Sequence, residues 1–337
     1  MSVPSERQWQ QAVEMLTGAD RVALACHVAP DGDALGSMLA LGAALRSRGT
    51  EVVASWGGEP FEVPAAYAFL PATDLLVPPW NFPAEPELFV TLDSGSPDRL
   101  GTLGDRVRTA ACTIVVDHHA TNTRYGGVHL VDDAAAATAV LVAELVDRLD
   151  VELSADIAAA LYTGLLTDTG SFRYPSATPA VHELAARLLA TGIRHDLIGR
   201  AIYDTAPFGW VELLGRVCAR ARLDRGAVGG LGLVWTVVEA GDLAASGLGL
   251  ADVEGVIDVL RVTQEAEVAV VVKADPHEGG WKVSTRSKGA VDMGAVCAAL
   301  GGGGHLFAAG FASDDDDADT TLARLRAELD TAPHLPT

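Results

Sequence analysis

Residues 21–37 read RVALACHVAPDGDALGS, and this stretch decides the fold. Arg21–His27 is an apolar run of strand length bounded by a polar tip, Val28-Ala-Pro-Asp31-Gly-Asp33. From Asp33 to Arg48 the small and apolar residues take up helical spacing, and Gly49 stops the helix. A buried strand, a polar turn and a helix in that order form half of a strand–helix–strand unit.

The same grammar recurs outward. Glu51–Ser55, Leu88–Leu92 (LFVTL) and Thr113–Val116 (TIVV) read as further strands. Ala134–Leu149, Ser154–Thr167 and Pro179–Ala190 read as helices, the second capped by Ser154 with Asp156 close behind. Strands alternating with helices predict an α/β fold, a parallel sheet with helices on both faces. The pattern changes near residue 195. His195–Tyr203 and Phe208–Leu223 look helical. Beyond Arg225 come strand Gly232–Val238, helix Ala251–Leu260, strands Glu267–Lys273 and Trp281–Arg286, helix Met293–Leu300 and strand Phe307–Ala312. The expected organisation is a first domain over 1–192, a helical linker over 193–212 and a smaller α/β domain over 213–337. The acidic run Asp314–Asp317 with Asp319 reads as a solvated loop or a helix start.

Composition agrees and narrows function. The chain has 337 residues, 49% hydrophobic and 20% charged, enough to bury a core and too apolar for a disordered chain. Its 24 Lys and Arg against 45 Asp and Glu give a net charge of −21. That balance argues against coating long nucleic acid, which needs a basic face, and against anionic membrane surfaces. An anionic substrate stays open, because bound cations invert the local field. Cys26, Cys112, Cys218 and Cys297 lie far apart with no CxxC, which argues against a disulfide framework or a thiolate zinc site. The N-terminus is polar and no 18-residue apolar run exists, so a cytoplasmic location is expected, with no membrane partner.

The chemistry sits immediately after the strands. The first ends in His27, Asp31 and Asp33, LFVTL ends in Asp93, and TIVV ends in Asp117, His118 and His119. Asp168 follows a helix, just before Thr169-Gly170-Ser171. Singly, each has an ordinary reading as turn former, helix cap or core histidine. Jointly they do not, because open α/β sheets bind ligands at the carboxyl ends of their strands, and carboxylates gathered there repel without a positive charge between them. No Lys or Arg stands in position, so metal ions are the economical counter-charge. Imidazole and carboxylate without thiolate suit Mn²⁺ or Mg²⁺, with Zn²⁺, Co²⁺ and Fe²⁺ open. Cys26 alternates away from His27 and reads as core.

HVAPDGDALGS, LDSGSPDRL, VDHHATN and LLTDTGSFRY resemble the four motifs of the DHH phosphoesterase superfamily. VSTRSKG followed by GGGGHLFAAG resembles the DHHA1 domain signature. The motifs run from Ala25 to Gly310, and the two-domain length is similar to bifunctional oligoribonucleases/pAp phosphatases of the NrnA type, related to RecJ. The resemblance implies a parallel-sheet DHH domain, a smaller DHHA1 domain and an active-site cleft between them. It implies two Mn²⁺ ions, with Mg²⁺ or Co²⁺ as alternatives. His27, Asp31 and Asp93 would hold one ion; Asp33, Asp93, His118 and Asp168 the other, with Asp93 shared. Asp117 would orient the histidines, and His119 would face the phosphate. Arg286, Ser287, Gly302, Gly303, Gly304 and His305 would contact the nucleotide. Where such proteins often carry Arg or Lys after the glycine-rich run, this chain has Leu306, which weakens the expectation of tight terminal-phosphate binding.

The implied activity is hydrolysis of short RNA to mononucleotides and of pAp to AMP and phosphate, with linear or cyclic dinucleotides as related substrates. The implied partners are short RNA and nucleotides, with room for a homodimer. Two rivals stand beside it. A family II-like inorganic pyrophosphatase would share the first-domain ligands, but the glycine-rich second domain argues against it. A non-catalytic nucleotide-binding regulator would not need the complete ligand set.

Overall fold

The computed structural model describes residues 3–59, 61–277 and 279–335. The chain divides into two compact units, Met1–Thr205 and Ala206–Thr337.

The first unit opens with α1 (Glu6–Gly18), started by a capping box in which Ser5 and Gln8 satisfy each other's backbone amides. Then follow β1 (Arg21–Cys26), α2 (Gly32–Ser47), β2 (Glu51–Trp56), β3 (Leu88–Leu92), α3 (Arg106–Thr109), β4 (Cys112–Asp117), β5 (Val128–Val131), α4 (Thr138–Arg148), α5 (Ala155–Asp168), α6 (Pro179–Leu189) and α7 (His195–Tyr203). The strands form one wholly parallel sheet in the order β2-β1-β3-β4-β5. The chain steps outward from β1 to β2, then returns past β1 to lay down β3. Strand order therefore reverses between β1 and β3, the place at which open α/β sheets bind ligands beyond the carboxyl ends of their strands. One sheet face packs Val22, Leu24, Val90 and Ile114 against α2, α4 and α5. The other packs Ala23, Ala25 and Phe89 against Phe82, Leu100 and Leu103, the last two from a 3₁₀ segment over Pro97–Leu103.

Helices α2 and α5 lie unusually close, and glycines permit it. A Cβ on Gly36 would stand 2.4 Å from the Ala160 carbonyl oxygen, and one on Gly32 would stand 2.5 Å from the Thr167 side chain. This seam brings the start of α2 and the end of α5, with Asp33 and Asp168, to the same edge of the sheet.

The second unit contains α8 (Phe208–Ala219), β6 (Arg222–Asp224), β7 (Leu233–Val238), α9 (Ala240–Ser246), α10 (Val256–Leu260), β8 (Val268–Ala274), β9 (Trp281–Ser287), α11 (Met293–Ala299), β10 (Gly303–His305), β11 (Ala308–Ser313) and α12 (Ala318–Thr331). Its sheet order is β10-β11-β9-β8-β7-β6, antiparallel except for the β7–β8 pair. Alternate residues of β8 feed two cores. Val268, Val270 and Val272 pack with α11 and α12, and Ala269 and Val271 with α8, α9 and α10.

Several boundaries differ from the sequence reading. Helix α4 begins at Thr138 rather than Ala134, because the Asp132 carboxylate accepts from the Ala134 amide and holds a turn there. The helix read over Phe208–Leu223 ends at Ala219, and the chain reverses into β6. Ala251–Leu260 divides into a 3₁₀ turn, Ala251–Val253, and α10. The acidic run is a helix start: Asp317 accepts from the Thr320 amide and caps α12. The boundary between the two units falls inside residues 193–212, with α7 in the first unit and α8 in the second. Cys26, Cys112, Cys218 and Cys297 are free thiols. Among the described residues no helix is long and apolar enough to cross a membrane.

Candidate metal centre

The parallel register puts the ends of β1, β3 and β4 side by side, with Cys26 opposite Leu92 and Leu92 opposite Val116. The next residues along each strand are His27, Asp93 and Asp117, so three strand tips deliver their polar groups to one place. Asp31 caps α2, its Oδ1 accepting from the amides of Asp33 (3.1 Å) and Ala34 (3.0 Å). Asp168 is the last residue of α5. Asp93 has a φ of 54°, a left-handed backbone that aspartate tolerates better than most residues but that still stores strain. The sharp turn aims its carboxylate back across the strand ends.

Asp93 stands between two groups of donors. Its Oδ2 lies 3.4 Å from His27 Nε2, which is also 3.8 Å from Asp31 Oδ2. Its Oδ1 lies 3.5 Å from His118 Nε2. That same nitrogen is 3.1 Å from Asp168 Oδ2 and 3.8 Å from Asp33 Oδ2. Two sets, His27–Asp31–Asp93 and Asp33–His118–Asp168, each offer ligand atoms within 4.8 Å of one another. Both imidazoles are oriented from behind. The His27 Nδ1 is 2.8 Å from the Val28 carbonyl, and the His118 Nδ1 is 3.1 Å from the Ala135 carbonyl. A carbonyl can only accept, so each Nδ1 carries the hydrogen, and in the neutral ring Nε2 keeps the lone pair a metal needs.

Asp117 plays a different part. It is fully buried, with Oδ1 2.8 Å from His119 Nδ1 and Oδ2 2.6 Å from Asn122 Nδ2. It orients His119, while the Ala135 carbonyl holds His118 Nδ1. Cys26 is fully buried in the core, as its alternation with His27 requires.

The electrostatics show a site built for positive charge. Burial disfavours a proton on His27, but Asp31 and Asp93 outweigh it and raise the ring to about 10. Burial likewise opposes charge on His118 and His119, and their carboxylate neighbours again win, Asp168 at the first and Asp117 at the second. Asp93 is driven well below the usual carboxylate range despite its burial, by the histidines around it. Asp168 goes the other way, to about 6, because burial dominates over its bond to His118. Imidazoles that hold protons this tightly among crowded carboxylates, with no thiolate among them, fit hard or borderline divalent cations.

In the second unit, Arg286 on β9 shares a sheet face with Ser284, opposite Ala269 and Val271 of β8. Among the described residues its Nε is buried with no hydrogen-bond partner, while Nη1 donates to the Thr285 carbonyl (3.0 Å). Ser287 alternates to the opposite face. It is buried, donates to Glu267 Oε1 (2.9 Å) and accepts from the amides of Gly289 and Val291, so the fold commits its hydroxyl to the turn after β9. Ser284 is the serine beside Arg286. It accepts from Lys273 Nζ (2.8 Å) and donates to Glu254 Oε2 (3.0 Å), and Lys273 is also ion-paired to Glu254. Lys273, only 2% exposed, interrupts the valine run of β8, and that lone cation is the signal by which the network could have been found. Of the glycines, Gly302 and Gly304 are explained by packing, since a Cβ on either would stand 2.1–2.6 Å from β11 backbone oxygens. Gly303 faces open space, and His305 and Leu306 are exposed at the β10–β11 turn.

A parallel sheet carrying such a cluster at its reversal point, followed by a second mixed sheet, defines a class. The DHH family, N-terminal domain, matches residues 21–165, and the DHHA1 domain matches residues 244–331. The chain belongs to the DHH family of phosphoesterases, in the form that carries a DHHA1 domain. Its similarity extends along the whole sequence to the bifunctional oligoribonuclease and PAP phosphatase NrnA of Thermus thermophilus, at 35% identity over 99% of both chains. In fold it is similar to an exopolyphosphatase-related protein from Bacteroides fragilis, with a TM-score of 0.86 at 21% identity over 98% of both chains. It also matches RecJ of Thermus thermophilus, solved in complex with Mn²⁺, with a TM-score of 0.58 at 15% identity. That match covers 99% of this chain and 56% of RecJ.

Proposed function

We propose that this chain hydrolyses very short RNA to mononucleotides and pAp to AMP and phosphate, using two divalent ions, Mn²⁺ foremost. The observation that carries the reading is Asp93, whose two carboxylate oxygens face His27 on one side and His118 on the other. The name of the Thermus relative supports the substrates. His27, Asp31 and Asp93 are assigned to one ion, and Asp33, Asp93, His118 and Asp168 to the other. When bound, such a pair supplies Lewis acidity and a water nucleophile that is active near neutral pH.

The chain's own residues do the rest. The carbonyls of Val28 and Ala135 fix the His27 and His118 tautomers, so each ring presents Nε2. Asp117, itself held by Asn122, keeps His119 in one orientation and favours a proton on its ring, which is assigned to the phosphoryl oxygens. No side-chain nucleophile is required. In the second unit Arg286 is assigned to a phosphate: an orphaned buried guanidinium N–H is costly, and an anion accepting from it removes the cost. Gly303, with open space before it, and His305 are assigned to the nucleotide.

The test is a substrate panel with Mn²⁺, Mg²⁺ and Co²⁺ in turn. It spans pAp, two- to five-nucleotide RNA, linear and cyclic dinucleotides, and pyrophosphate. Release of AMP from pAp and of mononucleotides from short RNA, lost on chelation and best restored by Mn²⁺, is the expected result. Pyrophosphate as the preferred substrate, or tight nucleotide binding without turnover, overturns the reading.

A further inference from the structure

Helix α4 begins with Ala137 at its N-cap position, a residue with no side chain to cap with. Its first amides therefore need acceptors from elsewhere. Asp33, from α2, supplies them. The Thr138 amide donates to Asp33 Oδ2 (2.6 Å) and the Ala139 amide to Asp33 Oδ1 (2.9 Å), with Ser37 Oγ also on Oδ1 (3.0 Å). The Thr138 hydroxyl turns the other way and donates to Asp93 Oδ1 (3.0 Å). One fully buried residue thus holds both carboxylates, one by its backbone and one by its side chain.

Packing does not explain the hydroxyl. Valine has the same shape, and the rest of this helix face is apolar, with Leu141, Val142 and Leu145. A buried hydroxyl must be bonded or it destabilises the fold. A helix interior could bond it to a carbonyl one turn back, but at the first helical position that choice is absent, and Asp93 takes the bond.

We propose that Thr138 is a positioning residue for the metal centre, fixing the rotation of the shared carboxylate Asp93 while the α4 amides clamp Asp33. This rests on the two-ion reading above. To serve both groups of donors, the Asp93 carboxylate would keep Oδ2 toward His27 and Oδ1 toward His118, the rotation it has in this fold. The Thr138 hydrogen bond occupies one lone pair of Oδ1, leaves its other lone pair and both of Oδ2, and removes the freedom to swing toward a single ion. The start of α4 also places the positive end of a helix dipole beside two crowded carboxylates, which keeps them in place before any ion arrives. The displaced helix start is part of the device. A helix from Ala134 would bury these amides in its own hydrogen bonds, and the Asp132 turn prevents that.

The test is calorimetric titration of the full chain with Mn²⁺, with turnover of pAp measured alongside. Thr138→Val keeps the shape and the backbone amide and loses only the hydroxyl; Thr138→Ser returns it. The wild-type chain is expected to take up two ions. The valine variant is expected to bind at least one of them about ten- to a hundredfold more weakly, the usual effect of removing an outer support of a ligand. The serine variant is expected within about threefold of wild type, since the restored hydroxyl remakes that support. Should the valine variant fail to fold, Thr138→Ala removes the same hydroxyl without added bulk and is read in the same way. Uptake of fewer than two ions by the wild type overturns the two-ion reading and this proposal with it. Two ions in the wild type, with unchanged affinities and turnover when the hydroxyl is gone, overturns the role of Thr138 alone. A serine variant as weak as the valine variant also overturns it.

Discussion

At the scale of single residues the site turns on Asp93. Asparagine matches its shape, tolerates its left-handed backbone and still accepts from Thr138, so Asp93→Asn isolates the charge. Turnover should fall by at least about 10²–10³-fold, the loss seen when one charge-stabilising group leaves a reacting centre. Near-normal kinetics would refute a shared carboxylate. His27 carries a second prediction. Its ring is held protonated to about 10 in the metal-free fold, against an ordinary value of 6.5. That raised value stabilises the metal-free fold fully below 6.5, and the contribution disappears as pH climbs through about 10. Metal binding needs the neutral ring, so apparent affinity should rise with pH, and uptake at neutral pH should release protons. Calorimetry in two buffers of different ionisation heat reads the proton count directly; no buffer dependence would contradict it. All the proposed ligands were legible in the sequence as a set: each has an ordinary reading alone, but together they gather at strand ends and one helix end, in motifs that resemble those of the DHH superfamily. Thr138 and Asn122 were not. A hydroxyl or amide in a turn or a helix start is common; Thr138 acquires its role from Asp33 and Asp93, far away in sequence, and Asn122 from a turn that brings it back to Asp117.

At the scale of elements, glycines decide how near the ligands come. Gly164 of α5 faces Asp33, and a Cβ there would stand 2.5 Å from Asp33 Oδ1 and 3.0 Å from the Ala139 Cβ. Two opposed effects meet in Gly164→Ala. Helix propensity favours alanine by about 1 kcal/mol. Overpacking costs about 1–3 kcal/mol where the neighbour cannot yield. Here the neighbour is a carboxylate held by three donors, so overpacking should win. The variant is expected to be less stable in chemical denaturation and weaker in Mn²⁺ binding; a stabilised variant with unchanged binding would show that Asp33 moves freely. Apolar runs and their spacing made most elements readable, including four of the five strands of the first sheet. Several of the elements that escaped have a clear physical cause. Helix α1 buries only Trp9, Ala12 and Leu16, and its polar remainder reads as a solvated tail. Strands β5 and β10 are four and three residues long, too short for a period to register. Helix α12 hides its buried Leu322, Leu325 and Leu329 behind the acidic run that caps it.

At the scale of the whole molecule the question is how a chain of net charge −21 handles an anionic substrate. A protein that binds polymer through many phosphates draws its affinity from counterion release and loses about 10³–10⁵ of it between 50 and 200 mM salt. This chain has 24 basic residues against 45 acidic ones, and many of the basic ones are engaged with carboxylates, as Arg148 is with Glu6 and Glu144, and Arg187 with Asp147. On the proposed reading, attraction is local, at the assigned ion-binding cluster and at Arg286, while the remaining surface repels phosphate. Two consequences follow together. Longer RNA adds phosphates that meet repulsion instead of new contacts, so kcat/KM should fall as the substrate lengthens beyond a few nucleotides. Added salt screens both the few attractive contacts and the general repulsion, so KM for the shortest RNA should change by only about threefold across the salt range that would dissociate a basic binder. Kinetics on a length series at low and moderate salt, with free Mn²⁺ held constant, measure both. A steep loss of affinity with salt, or a preference for long RNA, would mean that a basic track exists and that the acidic balance misrepresents the surface the substrate meets.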